Sequence, residues 1–274
     1  NTKKIGFIGG GNMASSLING LIASGHSPSQ IWVSDTNPDT LQSLADNLKV
    51  NISVNNDELT KEVDVVVLAV KPQVLKTVAE KIATTLIDKD ILVVSIAAGI
   101  SQQSLTEWLG NEIAIVRCMP NTPALVLTSA TALHANDVVT DEQKDLAENI
   151  LRAVGISLWV SSESELDAVT AVSGSGPAYY FLLMEAMESA AVELGLSETT
   201  ARLLIQQTAL GAAKIALESS ETPKTLRQRV TSPGGTTEQA IKTFEEGAYS
   251  SLVSKALHAA RDRSIEMSKE LGES

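Results

Sequence analysis

The chain has 274 residues, of which 43% are hydrophobic and 20% charged, and a formal net charge of −12. It is long enough for one large or two ordinary domains with cores of their own. Its acidity argues against a nucleic-acid or anionic-membrane partner, where the phosphate interaction would be repulsive. A single cysteine, Cys118, excludes an internal disulfide framework and fits a reducing cytoplasm. The opening "NTKKIGFIGGGNMA" does not read as a signal peptide, and no apolar run reaches the ~18 residues of a membrane span.

Strand and helix patterns alternate through the first half. "KKIGFIG" is a short β-branched run that passes through a glycine turn into the helical "NMASSLINGLIASG". "QIWVSD" reads as a strand, and "NPDTLQSLADNL" as a helix with Pro38 in its first turn. "VDVVVLAV" is apolar throughout, as in a strand covered on both faces. Helix "QVLKTVAEKIATTL", strand "DILVVSIAAG", helix "SQQSLTEWLG" and strand "AIVRCMP" follow. Two further strand patterns, "ATALHAN" and "ISLWVS", flank the helical "DEQKDLAENILRAVG". This order predicts a parallel α/β sheet with right-handed crossovers.

Beyond Ser161 only helix-period segments occur, from "ESELDAVTAV" to "YSSLVSKALHAARDRSIEMSKELG". The expected architecture is an N-terminal Rossmann-type dinucleotide-binding domain over residues 1–161 and an all-α C-terminal domain over 162–274. "PAYYFLLMEAMESAAVELG" is apolar on more than one face. A helix of that kind needs cover on several sides, more than a domain of ~110 residues supplies, which predicts a partner subunit.

Gly9, Gly11 and Ala14 stand in the G-x-G-x-x-G/A spacing, directly after a strand and at the start of a helix. Gly9 would allow the tight turn, Gly11 the approach of a pyrophosphate, and Ala14 a close helix–strand contact. The helix start would offer free N–H groups to the phosphates. Asp35 ends the second strand. An acid there takes the ribose hydroxyls of NADH, or simply opens the next turn and caps its helix. No arginine follows to favour a 2′-phosphate, and Thr36 and Asn37 suit either cofactor. "LAVKP" (68–72) and "MPNTPA" (119–124) close two other strands at the edge where such sheets hold ligands. Taken alone, Lys71 reads as a solvated surface residue. Cys118 reads as a small core residue.

His26, His134 and His258 are scattered, and neither a metal motif nor a hydrolase motif occurs. Hydride transfer with a nicotinamide cofactor remains. Dehydrogenating an alcohol needs a base for the hydroxyl proton. The similarly built β-hydroxyacid dehydrogenases carry a lysine where this chain has Tyr180, and an asparagine where it has Met184. An iminium, already protonated, needs no such base.

"IGFIGGGNMA", "LAVKP", "SIAAGI", "RCMPNTPA", "VSGSGPAYYF" and "TSPGGTTEQA" occur in this order between Ile5 and about residue 270. Together they resemble the pyrroline-5-carboxylate reductases. The resemblance implies an oxidoreductase that reduces 1-pyrroline-5-carboxylate to L-proline with NADPH or NADH, the last step of proline biosynthesis. It implies a cytoplasmic homodimer built through the helical domain, and many members assemble five dimers into a decamer. Carried over by motif, Gly9, Gly11, Asn12 and Met13 would line the pyrophosphate, and Ser34, Asp35 and Asn37 would lie near the adenosine ribose. Asn56 and Ala69, Val70, Lys71 and Pro72 would border the cofactor. Ala97, Ala98 and Gly99, with Asn121 and Thr122, would lie close to the nicotinamide. Many members have a neutral residue in place of Asp35, which leaves the choice between NADPH and NADH open.

The same resemblance gives "TSPGGTT" (231–237) a purpose. Its glycines would leave the N–H groups of Gly234, Gly235, Thr236 and Thr237 free to hold one carboxylate at the start of a helix. Ser232 belongs to the same set. The Thr237 hydroxyl is the expected catalytic group, orienting the ring nitrogen rather than acting as an acid. The bland alternative is a helix connection with Thr236 or Thr237 as N-cap and Glu238 or Gln239 nearby. In "VSGSGPAYYF", Gly174 and Gly176 before Pro177 would kink or separate helices, or Ser175 and Val172 would meet the substrate. The family also places a glutamate near the imine, here Glu221. The active site is expected between the domains, with residues from both subunits.

Overall fold

The computed structural model describes residues 3–272. The extreme ends of the two expected domains, 1–2 and 273–274, lie outside the described residues. Strands β1 (Ile5–Ile8), β2 (Ile31–Ser34), β3 (Asn51–Ser53), β4 (Val65–Leu68), β5 (Leu92–Ser95), β6 (Ala114–Met119), β7 (Ser129–Ala135) and β8 (Gly155–Trp159) form one sheet in the order β3-β2-β1-β4-β5-β6-β7-β8. Helices α1 (Asn12–Ala23), α2 (Pro38–Leu48), α3 (Asn56–Glu62), α4 (Pro72–Ile87), α5 (Gln102–Leu109) and α6 (Asp141–Arg152) connect them. Strand order reverses between β1 and β4, so the crevice outside their carboxyl ends is the ligand position of a doubly wound fold.

The central strands are apolar because both of their faces are covered. Every residue of β1 and β4 is buried. Phe7 points into one core with Leu17 and Ile18 of α1, and the next residue, Ile8, into the opposite core with Leu75 and Ile82 of α4. Alternation of period two sorts each strand between the two cores.

Three details differ from the expectation. The sheet is not wholly parallel, since β7 runs antiparallel to β6. Only a 3₁₀ turn, Thr122–Val126, separates them, with Leu127 at φ 58°, and a parallel return needs a dozen or more residues. β3 and α3 are additional elements. β3 has three residues and none is fully buried, so it carries no strong apolar signal. Finally, the compact units do not divide where the sequence pattern changes. One unit comprises residues up to Ser175 together with those from Ala260 onward; the other is Gly176–Ala259.

Helix α7 (Glu165–Val169) and the π-turn Thr170–Gly174 belong to the sheet unit, where Leu166 and Ala171 are buried. Glu163 accepts from Arg117 Nη1 at 2.8 Å and from the Gln102 N–H at 2.6 Å. The final helix, α12 (Tyr249–Gly272), returns Ser264 to this unit, where its hydroxyl donates to Asp167 Oδ1 at 2.7 Å.

The second unit holds α8 (Gly176–Glu193), α9 (Glu198–Glu218), α10 (Pro223–Arg229), α11 (Thr236–Glu246) and the beginning of α12. Gly176 is the only fully buried residue of α8, and Ala201 and Ile205 those of α9. Phe181, Leu182, Leu203 and Leu210 are each more than 60% exposed in a single chain.

Candidate active site

The glycine loop after β1 is bent by contact with the loop after β4. Gly9 has φ +102°, and a Cβ there would lie 2.5 Å from the Ala69 carbonyl oxygen. A Cβ on Gly11 would meet nothing within 4 Å. The loop is therefore closed toward the protein at Gly9 and open at Gly11. Gly11 is the N-cap of α1 and makes no side-chain cap, and no acid stands in the first turn. The N–H groups of Asn12, Met13 and Ala14 lack intrahelical partners by position. Ala14 is buried, as a close helix–strand contact requires.

At the end of β2, the Asp35 carboxylate is held at both oxygens, by the N–H of Gly10 and of Asn37, each at 2.8 Å. Asp35 thus braces its own turn and stands beside the glycine loop. The Ser34 hydroxyl is buried and donates to Asn56 Oδ1 at 2.6 Å. Asn37 caps α2 through its Oδ1. The predicted ribose-side residues thus form one connected group, with several polar atoms engaged in holding each other.

Ala69, Val70, exposed Lys71 and Pro72 follow β4 and open α4, whose N-cap Lys71 makes no side-chain cap. Ala97, Ala98 and Gly99 follow β5. Gly99 has φ +73° and faces Met267 and Leu271 of α12. Asn121 and Thr122 follow β6 at the same edge. Its carboxyl edge thus gathers all the residues that sequence reasoning assigned to the nicotinamide side. Cys118 is buried, and burial pushes its thiol well above the ordinary range, as befits a core residue.

The π-turn Thr170–Gly174 and a bend at Ser175 stand between α7 and α8, where Gly174, Gly176 and Pro177 lead one to expect a kink or a separation of helices, and the Ser175 N–H donates to the Thr170 carbonyl at 2.8 Å. Val172 is exposed and Ser175 half-buried.

The turn 231–237 departs from expectation in one respect. The N–H of Gly234 donates to Glu238 Oε2 at 2.7 Å, and that of Gly235 to the Ser232 carbonyl at 3.0 Å. Neither is free. Thr236 and Thr237 occupy the first two positions of α11, where backbone N–H groups have no intrahelical partner, and Gly235, rather than either threonine, is the N-cap. Glu238, at the third position of α11, thus reaches back to the residue before the N-cap rather than to the N-cap itself as a capping-box glutamate would. In the same unit, Glu221 pairs with Arg229 through Oε1, while its Oε2 is buried with no partner among the described residues. Among those residues no cluster of three or more metal-ligating side chains occurs, and no helix is long and apolar enough to cross a membrane.

Residues 163–267 match a family model described as pyrroline-5-carboxylate reductase dimerisation, and residues 4–99 match one described as NADP oxidoreductase, coenzyme F420-dependent. A pyrroline-5-carboxylate reductase from Pseudomonas aeruginosa is 51% identical over 272 residues, covering 99% of each chain. The chain belongs to the pyrroline-5-carboxylate reductase family. A solved reductase of this family from Coxiella burnetii is 50% identical and superposes with a TM-score of 0.95, covering 98% of this chain and 99% of that one. A Plasmodium falciparum member, solved with NADP bound, is 30% identical with a TM-score of 0.86, covering 97% and 98%. The family membership inferred from the ordered motifs is thereby established, with its Rossmann-like and helical parts.

Sequence reasoning missed the internal ties of this reductase fold. The reach of Glu238 was visible only as a bland capping alternative, and the bonds made by Asn121 and Asn56 join residues far apart in the chain.

Proposed function

We propose that the chain reduces 1-pyrroline-5-carboxylate to L-proline, using NADPH or NADH. The observation that carries the reading is full-length similarity to pyrroline-5-carboxylate reductases combined with a glycine loop that is closed at Gly9 and open at Gly11. The residues present fit a dinucleotide: the open Gly11, with the N–H groups of Asn12 and Met13, would hold the pyrophosphate. Ser34, Asp35, Asn37 and Asn56 would border the ribose, and Ala69–Pro72, Ala97–Gly99, Asn121 and Thr122 the remainder. When bound, the reduced nicotinamide supplies a hydride.

The N–H groups of Thr236 and Thr237, at the positive end of α11, would bind the substrate carboxylate. Ser232, Gly234 and Gly235 would shape this turn, with Gly234 at φ +72°. The Thr237 hydroxyl would accept from the iminium N–H and fix the ring's face. Val172 and Ser175 would pack around the ring. Because the iminium already carries its proton, hydride addition to its carbon would leave the nitrogen neutral, and no base from the chain is needed. Glu221, with its unpartnered Oε2, is a further group for the imine side.

The working form is a homodimer, with further association of dimers up to a decamer, and its place is the cytoplasm. Support for the dimer comes from the dimerisation family model over 163–267 and from the exposed apolar residues of α8 and α9. Both subunits would contribute to the active site.

Purified protein given pyrroline-5-carboxylate should oxidise one reduced nicotinamide per proline formed. No loss of the reduced-nicotinamide absorbance with either cofactor would end this reading. Thr237→Ala should lower kcat/KM by about ten- to hundredfold, the range for a hydrogen bond to a charged group, while Ser250→Ala on exposed α12 leaves it unchanged.

A further inference from the structure

The half-buried Asn121 spends its side chain on contacts within the protein. Its Oδ1 accepts from the Ala130 N–H and the Ser129 hydroxyl, both at 3.0 Å. Its Nδ2 donates to the Ser173 carbonyl at 3.0 Å, across 52 residues of chain. In an α-helix the Ser173 carbonyl would accept from the N–H four positions on, but that residue is Pro177, which has none. A second contact joins the same two segments: a Cβ on Gly174 would lie 2.4 Å from the Met119 methyl. The end of β6 and the π-turn are thus held together both by packing and by a hydrogen bond.

We propose that Asn121 is a positioning residue that fixes the turn bearing Thr122 against the π-turn bearing Val172 and Ser175, and so sets the separation of cofactor and imine. The inference rests on the reductase reading, which puts Thr122 on the cofactor side and Val172 and Ser175 on the substrate side. It reassigns Asn121 from cofactor contact to bracing.

Asn121→Asp isolates the brace. The carboxylate keeps both acceptor contacts, loses the donor, and opposes the Ser173 carbonyl. With pyrroline-5-carboxylate, kcat should fall about tenfold or more, as for a small misplacement of reacting groups, while the dissociation constant of NADPH changes less than about twofold. Pro177→Ala places an N–H four positions after Ser173, a second donor within reach of its carbonyl, so the double variant should recover part of the loss, and Pro177→Ala alone should change little. A rise in the NADPH dissociation constant that matches the activity loss and ignores position 177 would overturn the proposal, as would an unchanged kcat in Asn121→Asp. Should that variant fail to fold, the wild-type side-chain amide decides. Slow hydrogen exchange at one Nδ2 proton of Asn121 is expected, and exchange as fast as in a free asparagine overturns the brace. A wild-type protein inactive on pyrroline-5-carboxylate would remove the reductase reading instead, and the amide measurement would still decide the brace.

Discussion

Adding one methyl group should have opposite consequences at the two glycines of the cofactor loop. At Gly9 the new Cβ would strike the Ala69 carbonyl, and the positive φ is strained for any other residue. Gly9→Ala is expected to cost about 2–4 kcal/mol and to lower Tm by roughly 5 °C or more. At Gly11 the methyl enters open space and φ is −71°, so Gly11→Ala should melt within about 2 °C of wild type. It should nevertheless weaken NADPH about tenfold or more, because the methyl occupies the room needed for pyrophosphate. Thermal melts and cofactor titrations check both. Equal destabilisation by the two changes would mean that Gly11 also serves the fold. Asp35 shows why residue roles are harder to read than residue types. Its two oxygens are both engaged by backbone N–H groups, a fact no spacing rule contains.

At the scale of elements, the alternating half was legible because each central strand is buried on both faces and each helix has one apolar side. Most helix starts were legible too: Asn37, Ser101, Thr140, Ser197 and Thr222 cap helices with their side chains, whereas the start of α3 at Asn55 was not read. α1, α4 and α11 lack a side-chain cap from the N-cap residue and begin at the very loops read as ligand-binding. Illegible were β3, too short to show a period, and the antiparallel β7, whose direction depends on the length of a 3₁₀ turn. The kink or separation of helices read from Gly174, Gly176 and Pro177 is present as the π-turn between α7 and α8, but its tie to Asn121 was not legible. Likewise, nothing in the pattern of α12 shows that its last turns belong with the sheet. Ser264 makes that attachment testable. It is buried and donates to half-buried Asp167, so Ser264→Ala should cost about 1–2 kcal/mol, lowering Tm by about 2–8 °C. An unchanged melt would show that apolar contacts alone hold the helix end.

For the whole molecule, apolar exposure on α8 and α9 is the dominant unresolved surface of a single chain. Leu203 and Leu210 are each 62% exposed and Leu217 82%, and large apolar patches of this kind mark interfaces. Native mass measurement should return a dimer or a multiple of it, with activity lost as dilution separates subunits; an active monomer would contradict shared active sites. The central claim joins this assembly to the chemistry: backbone amides at the start of α11 anchor a small carboxylate so that a protonated C=N bond is presented for reduction. A crystal structure of the protein with L-proline tests it most directly. The account predicts the carboxylate against the N–H groups of Thr236 and Thr237 and the ring nitrogen within hydrogen-bond reach of the Thr237 hydroxyl. Proline bound elsewhere, with that turn left empty, would contradict it.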